Sequence, residues 1–147
     1  MAIIIEEVTK VTDELEVAFQ RLMPQLSSSP PWLGPVTLQG IVNSPCTVVM
    51  VAVDADKENQ IVGSLTLVMF RIPTGLRAWI EDVVVDSNAR GKGVGEILCE
   101  HAIAKARSVG AKTFDLTSRP SREAANRLYE RVGFKRRESN IYRFQFS

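Results

Sequence analysis

Gly91-Lys92-Gly93-Val94-Gly95 constrains this chain more than any other stretch, because its alternating glycines stand between an apolar strand pattern and a helical one. Glycine takes a positive φ without penalty and lets a ligand approach the main chain closely. A helix start offers N–H groups that have no intrahelical acceptor, together with a partial positive charge, which suits phosphate. Arg90 and Lys92 add formal charge beside them. Residues 90–95 therefore predict an anion-binding strand–turn–helix. Two nucleotide loops are excluded by spacing. The P-loop requires four residues between its glycines and then Gly-Lys-Ser/Thr, and the dinucleotide fingerprint requires Gly-x-Gly-x-x-Gly, whereas this turn reads Gly-x-Gly-x-Gly. The glycines do not say whose phosphate they meet.

The flanking patterns predict the rest of the layout. Ile3–Val8 is a short β-branched strand, and Thr12 or Asp13 caps a helix that stops near Pro24. Residues 27–35 are too rich in Ser, Pro and Gly to be regular, and a short helix is expected over 37–43. Thr47–Val53, Ile61–Ile72 and Leu76–Val85 are consecutive strands. A helix over about 93–109, a strand at Thr113–Thr117, a helix at Ser121–Val132 and a strand within 134–146 complete the chain. Antiparallel runs followed by βαβ crossovers imply an α/β (α+β) fold, a central mixed sheet flanked by about four helices, in one domain over 1–147.

Composition narrows the function classes. Of the 147 residues, 45% are hydrophobic and 24% charged, ordinary values for a folded domain rather than a disordered one. A net charge of +1 gives no broad basic field, so neither nucleic acid nor an anionic membrane is an expected partner. The two cysteines, Cys46 and Cys99, and the single histidine, His101, cannot build a four-ligand zinc site, and no metal is expected. They also give no disulfide framework, which favours a reducing, cytoplasmic setting. The apolar start Met1–Ile5 runs directly into Glu6-Glu7 and reads as neither a signal peptide nor a membrane span.

Two stretches together resemble one family. Arg90-Gly91-Lys92-Gly93-Val94-Gly95, following Glu81-Asp82-Val83-Val84-Val85-Asp86, is similar to the acetyl-CoA signature of the GNAT superfamily of N-acetyltransferases. Asn126-Arg127-Leu128-Tyr129-Glu130-Arg131-Val132-Gly133-Phe134 resembles that superfamily's next motif at the expected separation. The resemblance implies a GNAT-like, mostly antiparallel sheet of six to seven strands, in which the 78–85 strand splays from the 113–117 strand to admit the coenzyme. It implies acetyl-CoA as co-substrate, coenzyme A as product and direct transfer to a primary amine through a ternary complex.

The resemblance also distributes roles. Main-chain groups of Val83 and Val85 would pair with the pantetheine, the Val83 N–H polarising the thioester carbonyl. Arg90, Gly91, Lys92, Gly93, Val94 and Gly95 would hold the pyrophosphate. Tyr129 would protonate the departing thiolate, and Asn126, one helical turn earlier, would touch the pantetheine. Glu81 is the first choice of base because strand alternation sets it on the face of Val83. Asp82 then points the other way, toward the acceptor amine or a basic partner. Trp32 and Ser118 are further candidates for the acceptor, although loop and capping roles explain them as well. Arg119 and Arg122 suit either an acidic acceptor group or the coenzyme's 3′-phosphate. The acceptor is expected to be a small-molecule amine. A protein N-terminus or lysine, and a coenzyme A-binding module without turnover, are the alternatives. The apolar end Ile141–Phe146 is expected to be covered by the sheet itself or by a second subunit, making a homodimer.

Overall fold

The computed structural model describes residues 1–147. Five strands form one sheet in the order β1-β2-β3-β4-β5: β1 Ile3–Glu7, β2 Thr47–Asp54, β3 Gln60–Ile72, β4 Gly75–Val85 and β5 Thr113–Asp115. The first four pair antiparallel with their neighbours; β4 and β5 pair parallel. Four helices flank the sheet: α1 Asp13–Leu26, α2 Pro35–Val42, α3 Val94–Ser108 and α4 Glu123–Arg131. None is long and apolar enough to cross a membrane.

β2 is apolar almost throughout because both of its faces are covered, which replaces simple alternation by a continuous hydrophobic run. Met50 and Ala52 point into a core shared with Leu98, Cys99, Ala102 and Ala106 of α3. Val49, Val51 and Val53 point into a second core with Leu15, Phe19 and Leu22 of α1 and Leu38 of α2. Thr12 caps α1 by accepting the Leu15 N–H at 3.2 Å. That helix runs two residues beyond Pro24, where a stop was expected, and ends in a Ser27 N–H to Met23 carbonyl bond of 3.0 Å. A proline in the last turn removes one ladder bond when little helix remains to lose.

The expected sheet of six to seven strands is corrected to five, because the predicted strand within 134–146 does not form. Residues 135–147 make no backbone ladder, and Tyr142, Phe144 and Phe146 are 87%, 83% and 84% exposed. A strand exists only with a partner, and β5 pairs over three residues where five were expected, leaving a very short free edge.

Candidate functional site

The parallel pairing of β4 with β5 ends at Trp79 opposite Asp115, and beyond that rung the strands diverge. The gap is a cleft of about 130 Å³ lined by Ile80, Glu81, Asp82 and Val83 from β4, Leu116 and Thr117 after β5, Tyr129 and Arg122 at α4, and Leu26. On its other side, β4 is bulged. Thr66 faces Glu81 and Ser64 faces Val84, so Asp82 and Val83 together oppose the single residue Leu65. Asp82 absorbs the extra residue with a φ of 52°, a left-handed conformation costly outside glycine. Val83 consequently has a register partner on neither neighbouring strand.

The bulge reverses the parity of β4. Before it, Ala78 and Ile80 face the α3 core; after it, Val83 and Val85 do, while Val84 faces α1. Plain alternation would set Glu81 and Val83 on one face, and this expectation is corrected: the inserted residue puts them on opposite faces. The Glu81 carboxylate accepts the indole N–H of Trp79 at 2.8 Å. Burial, and next the neighbouring Glu81, raise the proton affinity of Asp82 above the ordinary carboxylate value.

Tyr129 stands at the base of the cleft, 8% exposed, and meets Phe134 edge to face with ring centroids 6.0 Å apart. Burial, with Cys99 adding to it and Arg122 opposing, pushes its phenol above the usual tyrosine range. It therefore remains a protonated donor at neutral pH. Cys99 is fully buried beneath the site, and burial, followed by Glu100 and Glu96, pushes its thiol up to about 12, which leaves it without nucleophilic character.

Downstream of β4 the turn takes the form its glycines require. Gly91 and Gly93 hold φ values of 75° and 80°, with open space where a Cβ would stand. Gly93 caps α3, whose first N–H groups, from Val94, Gly95 and Glu96, have no carbonyl one turn back. Gly95 is buried for a different reason: a Cβ there would come within 2.9 Å of Leu128 Cδ1. Lys92 is exposed, and the Arg90 Nε donates to the Val85 carbonyl at 3.1 Å, folding that side chain back over the strand end.

Of the sequence-predicted residues, Glu81, Asp82, Val83, Arg122 and Tyr129 come together in the cleft, and Val85 and residues 90–95 follow β4's cleft-lining residues along the chain without lining it. Three others do not line it. Trp32 is 71% exposed, its indole lying over Gly34. Asn126 donates its amide to the Arg119 carbonyl at 3.0 Å, closing the loop between β5 and α4. Ser118 follows the cleft-lining Thr117 and keeps a buried Oγ with no hydrogen-bond partner. Sequence reading missed Leu26, Ile80, Leu116 and Thr117, whose apolar or small polar character carries no signal beyond packing. No group of three or more His, Cys, Asp or Glu side chains is disposed to hold a metal ion.

Residues 12–134 match the family model described as the acetyltransferase (GNAT) family. Among solved structures, an acetyltransferase from Trypanosoma brucei is 26% identical, with a TM-score of 0.78 over 98% of this chain and 100% of that one. An aminoglycoside acetyltransferase from an uncultured soil metagenomic sample, bound to trehalose, is 21% identical with a TM-score of 0.84 over 99% and 96%. Glucosamine-6-phosphate N-acetyltransferase from Arabidopsis thaliana is 19% identical with a TM-score of 0.80 over 98% and 99%. No curated protein matches the chain.

Proposed function

The chain belongs to the GNAT acetyltransferase family, and on that footing we propose that it transfers the acetyl group of acetyl-CoA directly to a primary amine of a small-molecule acceptor. The observation that carries this reading is the bulged, unpaired Asp82–Val83 segment facing Tyr129 across the diverging strands, just upstream of the glycine turn. N–H groups of Gly91, Gly93, Val94 and Gly95, with Arg90 and Lys92, hold the pyrophosphate. The Val83 N–H polarises the thioester carbonyl and stabilises the oxyanion that develops there. Glu81 and Asp82 are the groups that take the proton of the attacking ammonium, since a charged amine has no lone pair. Asp82 lines the cleft beside Glu81, and its proton affinity, raised above the ordinary carboxylate value, suits it to accept a proton there. Tyr129 returns a proton to the departing thiolate, while Asn126 fixes the loop at Arg119 beside the coenzyme's path. Cys99, the cysteine packed near Tyr129, is buried with its thiol pushed up to about 12 and offers no nucleophile, so the transfer proceeds in one ternary complex with no acyl-enzyme.

Two neighbours of the same fold are named for acetylating an aminoglycoside and glucosamine 6-phosphate. A small amine, recognised by Asp82 in the cleft, is the matching acceptor class, and Ser118 and Trp32 would reach it only from outside the cleft lining. We assign the whole chain, 1–147, to one cytoplasmic domain. The exposed aromatic end at Tyr142, Phe144 and Phe146 supports a homodimer in which a partner covers it.

The test is a screen of small amines for acetyl-CoA-dependent release of free coenzyme A thiol, run beside thermal denaturation with acetyl-CoA. A ligand that binds only the native state must raise the melting temperature. No shift at saturating acetyl-CoA removes the donor assignment. A shift without turnover on any amine leaves a coenzyme-binding module, and turnover on peptides alone leaves a protein acetyltransferase.

A further inference from the structure

The exposed part of the glycine turn has almost nothing of its own to hold it. Gly91, Lys92 and Gly93 are exposed, and both glycines face open space. Its placement depends on anchors at either end. On the helix side the anchor is the buried pair Val94 and Gly95. On the strand side it is residues 86–89, which α1 grips from across the molecule. Arg21 Nε donates to Asp86 Oδ2 at 2.9 Å, and a second nitrogen of the same guanidinium donates to the Ile61 carbonyl. One helical turn later, the Gln25 Oε1 accepts the Ser87 N–H at 2.9 Å. Asp86 is itself buried; its Oδ1 accepts the Asn88 N–H at 3.3 Å, and its carbonyl accepts the Ala89 N–H at 2.8 Å. Ala89 is packed in the core immediately before Arg90.

We propose that Arg21 and Gln25 are positioning residues that clamp residues 86–89 and thereby set the glycine turn in register for the coenzyme pyrophosphate. The inference rests on the donor reading above. A guanidinium suits the task because its planar fork serves a carboxylate and a carbonyl at once, which fixes direction as well as charge. Gln25 adds a neutral bond to the next residue's main chain, so two consecutive residues of the segment are tied to one helix face. Burial alone would raise the Asp86 pKa, but bonds from Asn88, Arg21 and Gln25 and the charge of Arg21 outweigh it and hold the carboxyl below its ordinary value. The anion is therefore kept ionised as the permanent partner of Arg21. The same helix ends at Leu26, which lines the cleft, and runs into the loop bearing Trp32. The clamp thus ties α1, whose last residue lines the cleft, to the segment that leads into the glycine turn.

The test compares Arg21→Ala, Arg21→Lys and Gln25→Ala with the unchanged protein, using amide hydrogen exchange and steady-state kinetics. Exchange at Ser87, Asn88 and Ala89, whose N–H groups are hydrogen-bonded, should accelerate about tenfold in Arg21→Ala relative to amides of β2, and the KM for acetyl-CoA should rise by a similar factor. The kcat at saturating acetyl-CoA should stay within about twofold, because only ground-state placement of the donor is altered. Arg21→Lys, which keeps a cation opposite Asp86, should recover most of the loss. Should Arg21→Ala fail to fold, Gln25→Ala removes the Ser87 bond without stranding a charge, and a smaller change of the same pattern is expected. Exchange at 87–89 that matches the unchanged protein in both variants overturns the clamp, as does a KM unmoved alongside a general loss of stability. Accelerated exchange in the variants, with no acetyl-CoA binding by the unchanged protein, overturns the donor reading instead.

Discussion

In the proposed reading, the donor and acceptor sides of the site are built differently. The donor side is main chain: a bulge at Asp82, two glycines with positive φ, and a helix start, fixed by Asp86 below and Gly95 above. The proposed acceptor side is side chain: the Asp82 carboxyl in the cleft, with an exposed Trp32 on an irregular loop and a buried but unpartnered Ser118 Oγ outside its lining. Backbone geometry recognises what every donor molecule shares, while exchangeable side chains leave the acceptor free to vary. Substitutions on the two sides should therefore fail in different ways.

The largest effect is expected where the two sides meet. Tyr129→Phe removes the proton donor and keeps the ring packed on Phe134, so kcat should fall about a hundredfold or more with acetyl-CoA affinity nearly unchanged. In the unchanged enzyme, the raised phenol pKa means that loss of activity through Tyr129 ionisation begins only above the usual tyrosine value near 10. A pH–rate profile checks this, and a Tyr129→Phe enzyme with unaltered kcat, where chemistry limits turnover, removes the residue from the mechanism.

Next come the two kinds of glycine. Gly93→Val meets no neighbour but must hold a φ of 80°, a strain of about 1–2 kcal/mol that falls on the turn and weakens acetyl-CoA binding. Gly95→Val drives its side chain into Leu128, an overpacking of about 1–3 kcal/mol that lowers the melting temperature. Acetyl-CoA titration and thermal melts separate them. If both variants lose only stability, the turn is a fold element and not a ligand site.

A smaller effect is expected from the acceptor side. Trp32→Ala should raise the acceptor KM several-fold, leave the acetyl-CoA KM alone, and change stability by no more than about 0.5 kcal/mol, as for most exposed positions. Equal losses for both substrates would erase the distinction between the sides.

The same contrast governs what a reader of the sequence can see. The strand–turn–helix at 90–95 is legible because its determinants lie within a few consecutive residues and glycine states its own conformation. The Asp82 bulge is not legible: Glu81-Asp82-Val83-Val84-Val85 contains no glycine, and only pairing with β3, whose Leu65 has two residues opposite it, reveals the extra one. Its consequence, the reversal of parity that separates Glu81 from Val83, was therefore hidden as well. The Arg21–Asp86 pair is 65 residues apart in the chain, and no local pattern links its members. Asn126 was legible as a helix-face neighbour of Tyr129, yet its bond to Arg119 depends on how the preceding loop closes. At 134–146, an irregular alternation favours a strand, but alternation records a preference for a partner and not the presence of one.

The smallest expected effect probes the donor side's foundation through pH. The Asp86 carboxyl is held below its ordinary value in the folded chain, so folding favours its ionised form. Its contribution is fully present above the unfolded-state pKa, near 3.8, and is lost as pH falls below that value toward the depressed folded one. Asp86→Asn abolishes this dependence at one site. Its stability should be lower than that of the unchanged protein at neutral pH, and the gap should narrow as the solution is acidified through the carboxylate range. Denaturant midpoints taken at successive pH values read the gap directly. A constant difference from neutral pH down to strong acid would mean that Asp86 acts through packing and its neutral hydrogen bonds. The charge of Arg21 would then be incidental to the way α1 holds the turn.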